Sequence, residues 1–417
     1  MKTIDSFKSS LDYIKYFIKW TVLSVVTGVC GGLAGSLFHI CIDHATYIRE
    51  QNSFLIYLLP LGAVVIAFVY GIYKKYGRLD TNRVIDSVTK DENVPFVLAP
   101  LIFFSAGVTH LLGGSAGREG AALQLGGSIG YKVGKIARLK HSDMHIIVMS
   151  GMAAVFSALF GTPITAAVFA IEVAAVGTMH YGALFPCVLS SMGGYRIASL
   201  FDISPVRFLG VGVPGFSIGF GIKLTLIAVL CALVSIAFCR AIGYAEKYLK
   251  KYIPNAYIRA LTGGVILICL TLIAGNFDYN GAGMDVIKKA FAGNVRFEAF
   301  ALKIVFTAIT IAAGFKGGEI VPCLFVGSTF GAALSAVLGI DMAFGASVGF
   351  VALFCGVTNC PIASVFLAIE VFGGDLALPL AYSCAIAYLF SGNCGLYKSQ
   401  KLVYSKLDES YINANAN

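Results

Sequence analysis

Two short glycine-rich stretches carry the residues best suited to chemistry. The first is Gly114-Ser115-Ala116-Gly117-Arg118-Glu119-Gly120-Ala121-Ala122, set between apolar runs. An ionisable side chain in apolar surroundings is costly and marks a functional candidate. A glutamate at a helix N-terminus beside an anion path can occupy the ion's place when ionised and leave when protonated. Glu119 would then gate anion movement and couple it to protons. The competing readings make Arg118 and Glu119 a surface loop, a helix cap or a self-neutralising pair, although neighbours on a helix point apart and need not pair. The second stretch is Lys316-Gly317-Gly318-Glu319-Ile320-Val321-Pro322. Here Glu319 is a second candidate for proton transfer, and a salt bridge to Lys316 is the alternative. Glu172 and Glu370 follow long apolar runs and read as helix-end or structural carboxylates.

The elements around these residues are those of a membrane protein. Of 417 residues, 58% are hydrophobic and 13% charged, with mean hydropathy +0.82. Soluble chains carry roughly 25% charged residues, so a soluble enzyme and a disordered scaffold are both excluded. The net charge of +9 does not point to nucleic acid, because the cations fall in short clusters between apolar runs. These are Lys74, Lys75 and Arg78; Lys132, Lys135, Arg138 and Lys140; and Arg240, Lys247, Lys250, Lys251 and Arg259. Short basic loops belong on the cytoplasmic face. Lys2, Lys8, Lys15 and Lys19 put the N-terminus there too, and no cleavable signal peptide is evident. The 11 cysteines sit mostly in apolar runs with no Cys-x-x-Cys pair, and read as small buried apolar residues. No His/Cys/carboxylate group has metal-ligand spacing, and no nucleotide or other cofactor is called for.

The apolar runs are uneven. Long candidates cover 13–42, 54–73, 215–247, 257–276 and 296–314, whereas 96–200 and 318–391 are broken by glycine and proline. Broken helices at membrane depth are tolerated only where they are buried in protein or line a cavity, which is a transporter or channel pattern. The chain also repeats itself. Ala170-Ile171-Glu172-Val173 recurs as Ala368-Ile369-Glu370-Val371, with Pro163 and Pro361 nine residues before each glutamate. Upstream, Gly114, Gly117, Glu119, Gly127 and Ser128 match Gly314, Gly317, Glu319, Gly327 and Ser328 at a spacing of 200. This register makes Glu319 the counterpart of Glu119. The expected architecture is an all-α polytopic membrane protein of two halves, 1–213 and 214–417, the second ending in a short polar tail. Inverted repeats place substrate near the midplane where half-helix N-termini converge. Those termini favour anions, and glycine admits close approach of backbone N–H groups.

Gly117-Arg118-Glu119-Gly120, followed by Ala121-Ala122-Leu123-Gln124-Leu125-Gly126-Gly127-Ser128, resembles the signature of the CLC family of anion channels and anion/proton antiporters. Phe160-Gly161-Thr162-Pro163, Phe169-Ala170-Ile171-Glu172 and Gly318-Glu319-Ile320-Val321-Pro322 fit the same family in order, over nearly the whole chain. The resemblance implies two inverted-topology repeats of tilted, broken helices and a homodimer with one anion path per subunit. It makes Glu119 the gating glutamate and puts Tyr397 in the place of a late anion-coordinating tyrosine. Gly117, Arg118, Gly120, Gly318, Ile320 and Val321 would then line the anion path, with Asn82 in the region of the family's first chloride-binding loop.

The departures narrow the expectation. Residues 77–82, Gly77-Arg78-Leu79-Asp80-Thr81-Asn82, lack the family's Gly-Ser-Gly-Ile-Pro motif, and the role of Asp80 is open. The proline after Gly-Arg-Glu-Gly is Ala121, the internal proton-handling glutamate is Val173, and an apolar residue of the Gly-x-Phe-x-Pro motif is Glu319. This combination resembles the prokaryotic fluoride-exporting CLC-F branch, which has a central glutamate and no cytoplasmic regulatory domain. The implied function is fluoride/proton antiport in a prokaryotic plasma membrane, with fluoride, protons and membrane lipid as partners. Fluoride is a strong hydrogen-bond acceptor with a weak conjugate acid, so it can share a proton with a carboxylate. The alternative is a chloride/proton exchanger or a passive chloride channel. A reading from another class is an intramembrane serine hydrolase, because Gly113-Gly114-Ser115-Ala116-Gly117 matches Gly-x-Ser-x-Gly with His110 nearby. That motif needs a strand–turn–helix setting absent here, so no enzymatic activity is expected.

Overall fold

The computed structural model describes residues 2–90, 92–215, 217–408 and 410–416, with 2–11 described by backbone alone. The side chains of Lys2 and Lys8 thus lie outside the described residues. The described residues are 74% helix and 3% strand. Sixteen α-helices are found among the described residues, α1–α8 before residue 200 and α9–α16 after 217. The apolar candidates of the sequence become α1 (Lys2–Gln51), α2 (Leu59–Ile72), α9 (Ile218–Tyr252), α10 (Ala256–Ala274) and α12 (Ala299–Ala313). Among the described residues, six helices are long and apolar enough to cross a membrane. Large apolar side chains face outward, with Ile218, Ile273 and Leu378 each 82% exposed, as a lipid-facing surface requires.

The central helices are short because glycine and proline cut them. α4 (Leu98–Leu112) ends at Gly113 and α12 ends at Gly314, both left-handed at φ 92° and 101°. Glycine takes this conformation without strain and stops a helix there. α5 (Glu119–Ile136) and α13 (Ile320–Leu338) each restart after a six-residue link. α6 (His141–Phe160) packs on α5, and α14 (Met342–Thr358) on α13, through glycine faces. A Cβ at Gly151 would lie 2.9 Å from Gly130 N, and one at Gly331 would lie 3.1 Å from Gly349 Cα. Small residues are what allow backbones to approach in a bilayer. α7 (Pro163–Glu172) and α15 (Pro361–Phe372) each begin on a proline, whose missing N–H costs nothing at that position.

The two series of helices are joined by reciprocal contacts, as inverted-topology repeats require. Ser115 N–H donates to Thr310 Oγ1 at 3.0 Å, and Lys316 N–H to Thr109 Oγ1 at 3.3 Å. Glu172 accepts from the Ile362 and Ala363 N–H groups at 3.2 and 2.8 Å. Glu370 accepts from those of Ile164 and Thr165 at 3.0 and 2.8 Å. Each glutamate thereby caps the proline-led N-terminus of the opposite helix. This is the structural role expected of both.

The structure corrects the register of the upstream match. Gly113 and Gly314, Ser115 and Lys316, and Gly117 and Gly318 are counterparts, which is a spacing of 201 rather than 200. Arg118 is the N-cap of α5 and Glu319 the N-cap of α13. Glu319 therefore corresponds to Arg118, and Glu119 to Ile320. The sequence match misled because Gly317-Gly318 offers two glycines where the first half has Ala116-Gly117.

The C-terminal stretch is not a loose tail. β2 (Lys401–Tyr404) pairs parallel with β1 (Ala175–Val176) and antiparallel with β3 (Tyr411–Asn415). Lys406 turns inward and donates to Asn359 Oδ1, Tyr388 O and Ser391 Oγ at 2.6, 2.9 and 3.0 Å. Burial pushes its ammonium pKa down to about 8.

Candidate functional site

The links before α5 and α13 meet at the centre. Gly117 N–H donates to Gly318 O at 2.7 Å and Gly318 N–H to Gly117 O at 2.6 Å, a two-bond antiparallel bridge between the halves. Neither N–H is therefore free for an ion. This corrects the expectation that Gly117 and Gly318 supply backbone donors, since their carbonyls compete successfully for those protons. Close approach explains the glycines: a Cβ at Gly120 would lie 2.7 Å from Gly318 Cα and 3.1 Å from Glu319 Oε2.

The two glutamates lie on opposite sides of this crossing. Glu119, 1% exposed, borders a cavity of about 510 Å³ with Arg49, His110, Arg118 and Val321. Its Oε2 accepts the Arg118 backbone N–H at 3.1 Å, so the carboxylate folds back onto the helix start. Its Oε1 is 3.4 Å from Arg118 Nε, so the two do pair. Arg118 sits at the N-cap, where its side chain is not directed away from residue 119. The guanidinium is shared with Asp43 at 2.7 Å.

Glu319 borders a second cavity, of about 830 Å³, lined also by Asn82, Gln124 and Tyr397. The N–H groups of Ile320 and Val321 belong to the first turn of α13 and have no intrahelical acceptor. The Tyr397 hydroxyl is buried without a partner. Lys316 does not pair with Glu319 among the described residues; its ammonium lies 4.6 Å from the Tyr70 ring centre. Asp80 acquires a role: it caps α3 (Thr81–Thr89) by accepting from Arg83 N–H at 3.0 Å and pairs with Arg78 at 3.1 Å.

The cavities differ in charge. The one beside Glu319 has seven cations (Arg78, Arg240, Lys247, Lys250, Arg259, Lys316, Lys398) against three carboxylates. The one beside Glu119 has three cations against five carboxylates. They are called below the basic and the acidic vestibule. The serine reading fails on geometry: Ser115 Oγ is 3.1 Å from Thr307 Oγ1, and His110 Nδ1 is turned to the Ala106 carbonyl at 3.0 Å.

The arrangement sets one glutamate at each of two vestibules of opposite charge balance. The voltage-gated chloride channel family model matches residues 62–392. The chain belongs to that family. It is a multi-pass membrane protein of a family of transporters and channels. It is 31% identical to a chloride/fluoride channel protein of Pseudomonas syringae over 95% of this chain and 89% of that one. An H⁺/Cl⁻ exchange transporter of Vibrio vulnificus is 24% identical, over 92% and 88% of the two chains. Among solved structures, a CLC-type fluoride/proton antiporter matches at a TM-score of 0.90 with 29% identity, covering 93% of this chain and 98% of that one. A slow cyanobacterial Cl⁻/H⁺ antiporter matches at 0.76 with 18% identity, over 89% and 94%, which speaks to the fold alone.

Sequence reasoning missed Asp86. Its side chain is 3% exposed and holds α3 to the segment carrying Tyr397. Its position in an amphipathic nine-residue helix gave no sign of burial.

Proposed function

We propose that this CLC protein is a fluoride/proton antiporter that exports fluoride from a prokaryotic cytoplasm, driven by proton entry. The observation that carries the reading is Glu319 in the basic vestibule beside hydrogen-bond donors. A carboxylate among donors at a helix N-terminus excludes an ordinary anion unless it is protonated. Fluoride, which can share that proton, is the anion that gains from it. The structural neighbour and the curated relative named for fluoride support the same substrate.

Glu119 is the gate. Ionised, it holds the Arg118 N–H; protonated, it releases that donor to the anion. Glu319 is the central proton carrier. Asn82 and Tyr397, with the N–H groups of Ile320 and Val321, solvate fluoride on the basic side. The basic vestibule faces the cytoplasm under the positive-inside rule. Lys19 in α1 pairs with Asp143 at 2.5 Å, next to the 132–140 basic cluster, which supports a cytoplasmic N-terminus. The working unit is a homodimer, with α8 (Leu184–Ser199) and α16 (Ala377–Phe390) as candidate contact surfaces, and the division into halves falls between 213 and 214.

The test is efflux from liposomes loaded with fluoride or chloride, with external pH recorded together. Fluoride efflux with proton uptake and little chloride efflux is expected. Comparable chloride efflux returns the chain to chloride exchange, and efflux without proton movement makes it a channel.

A further inference from the structure

One wall of the basic vestibule is held by a polar network that the antiport scheme does not use. Asp86 Oδ2 accepts from Ser399 Oγ at 2.8 Å and from Arg78 Nη2, and Lys90 Nζ is 2.7 Å from Oδ1. Arg78 Nη2 also donates to Ser399 Oγ at 3.1 Å. The Ser399 backbone N–H in turn donates to Asn82 Oδ1 at 3.0 Å. A backbone N–H can only donate, so it selects the oxygen end of the Asn82 amide and turns the NH₂ end away. Asn82 lines the vestibule, as does Tyr397 two residues before Ser399, with its hydroxyl unpartnered.

We propose that Asp86 and Ser399 are positioning residues that hold the Asn82 NH₂ and the Tyr397 hydroxyl as a preset pair of donors for the anion. Without them the segment carrying the Ser399 N–H is no longer tied to α3, and the Asn82 amide can then turn over and present its oxygen, which repels an anion. Preset donors matter most for a small, strongly hydrated anion, because nothing then has to reorganise to replace its water. A buried carboxylate beside an anion path would be repulsive alone, but Arg78 and Lys90 neutralise Asp86.

The proposal rests on the transport reading for the identity of the anion, and the experiment separates the two. Wild type, Asp86→Asn, Ser399→Ala and Ser399→Thr are reconstituted, and initial efflux is measured against internal sodium fluoride and, separately, sodium chloride. Sodium fluoride is also titrated calorimetrically into the detergent-solubilised proteins. Asp86→Asn and Ser399→Ala should raise KM and Kd about five- to tenfold, the worth of one well-placed hydrogen bond. Their saturating rates should stay within about twofold, since a hydrogen bond made equally to bound and moving anion affects binding alone. Ser399→Thr, which keeps the hydroxyl, should restore KM. Unchanged KM and Kd in protein with a wild-type gel-filtration profile overturns the assignment, and so does a lower rate at unchanged KM. Should Asp86→Asn fail to fold, Ser399→Ala decides alone. Wild type moving chloride but not fluoride refutes the fluoride reading, while KM for chloride still decides the positioning role.

Discussion

Glu119, Glu172 and Glu319 are the same residue type with three different surroundings, and position at a helix end decides what each can do. Glu172 accepts two N–H bonds from another helix and so serves as its cap. Glu119 takes an N–H from its own helix start and borders a cavity. Replacing Glu119 with Gln should abolish proton movement coupled to anion efflux, because an amide cannot take up the proton; external pH recorded during fluoride efflux reads this. Replacing Glu319 with Ala should slow fluoride efflux about tenfold or more, the scale of losing a group active only in the transported state. Glu172→Ala should cost less transport and more stability.

Helix termini are where the elements carry the consequence. Glu172 and Glu370 each satisfy two N–H groups that the start of α15 or α7 leaves unpaired. Changing either to Ala should lower stability by about 1–3 kcal/mol, the range for a lost cap or an unsatisfied buried donor. Thermal unfolding in one detergent checks it, and the double variant tests whether the costs add. At α3, burial pushes the Asp86 carboxyl up, but hydrogen bonds from Lys90 and Ser399 and the charges of Lys90 and Arg78 outweigh it and hold it below the usual carboxylate range. A depressed folded value means the stabilisation is complete above the unfolded pKa of about 3.9 and is lost as pH falls through the lower folded one. The stability gap between wild type and Asp86→Asn should therefore be constant from pH 5 to 7, about the range where carboxylates stay ionised, and shrink below it.

At the scale of the whole molecule, the two vestibules form an electrostatic gradient around a neutral crossing. Seven cations against three carboxylates raise the local concentration of anions at the basic mouth. The acidic mouth, with five carboxylates against three cations, favours protons and anion release. Raising ionic strength from about 0.01 to 0.5 M shortens the screening length severalfold. It should therefore raise the fluoride KM from the basic side more than from the acidic side, as should Lys247→Glu with Lys250→Glu. Equal salt dependence from both sides in oriented vesicles would remove the gradient from the mechanism.

Composition and the spacing of breakers were enough to indicate an all-helical membrane protein, its broken central helices and the two glycine-rich links, because these follow from local rules about burying backbone in lipid. The structural role of Glu172 and Glu370 was legible from the long apolar runs that each follows. Three matters were not legible. The register of the halves depends on which of two adjacent glycines meets Gly117, a choice made by the cross-bridge. The pairing of Arg118 with Glu119 depends on the helix starting one residue after the arginine. The burial of Asp86 depends on Ser399, more than three hundred residues away. A sequence specifies which groups are available and which local conformations they allow. Only tertiary structure decides which donor meets which acceptor across the molecule, because partners so distant in the chain are brought together by the packing of every element between them.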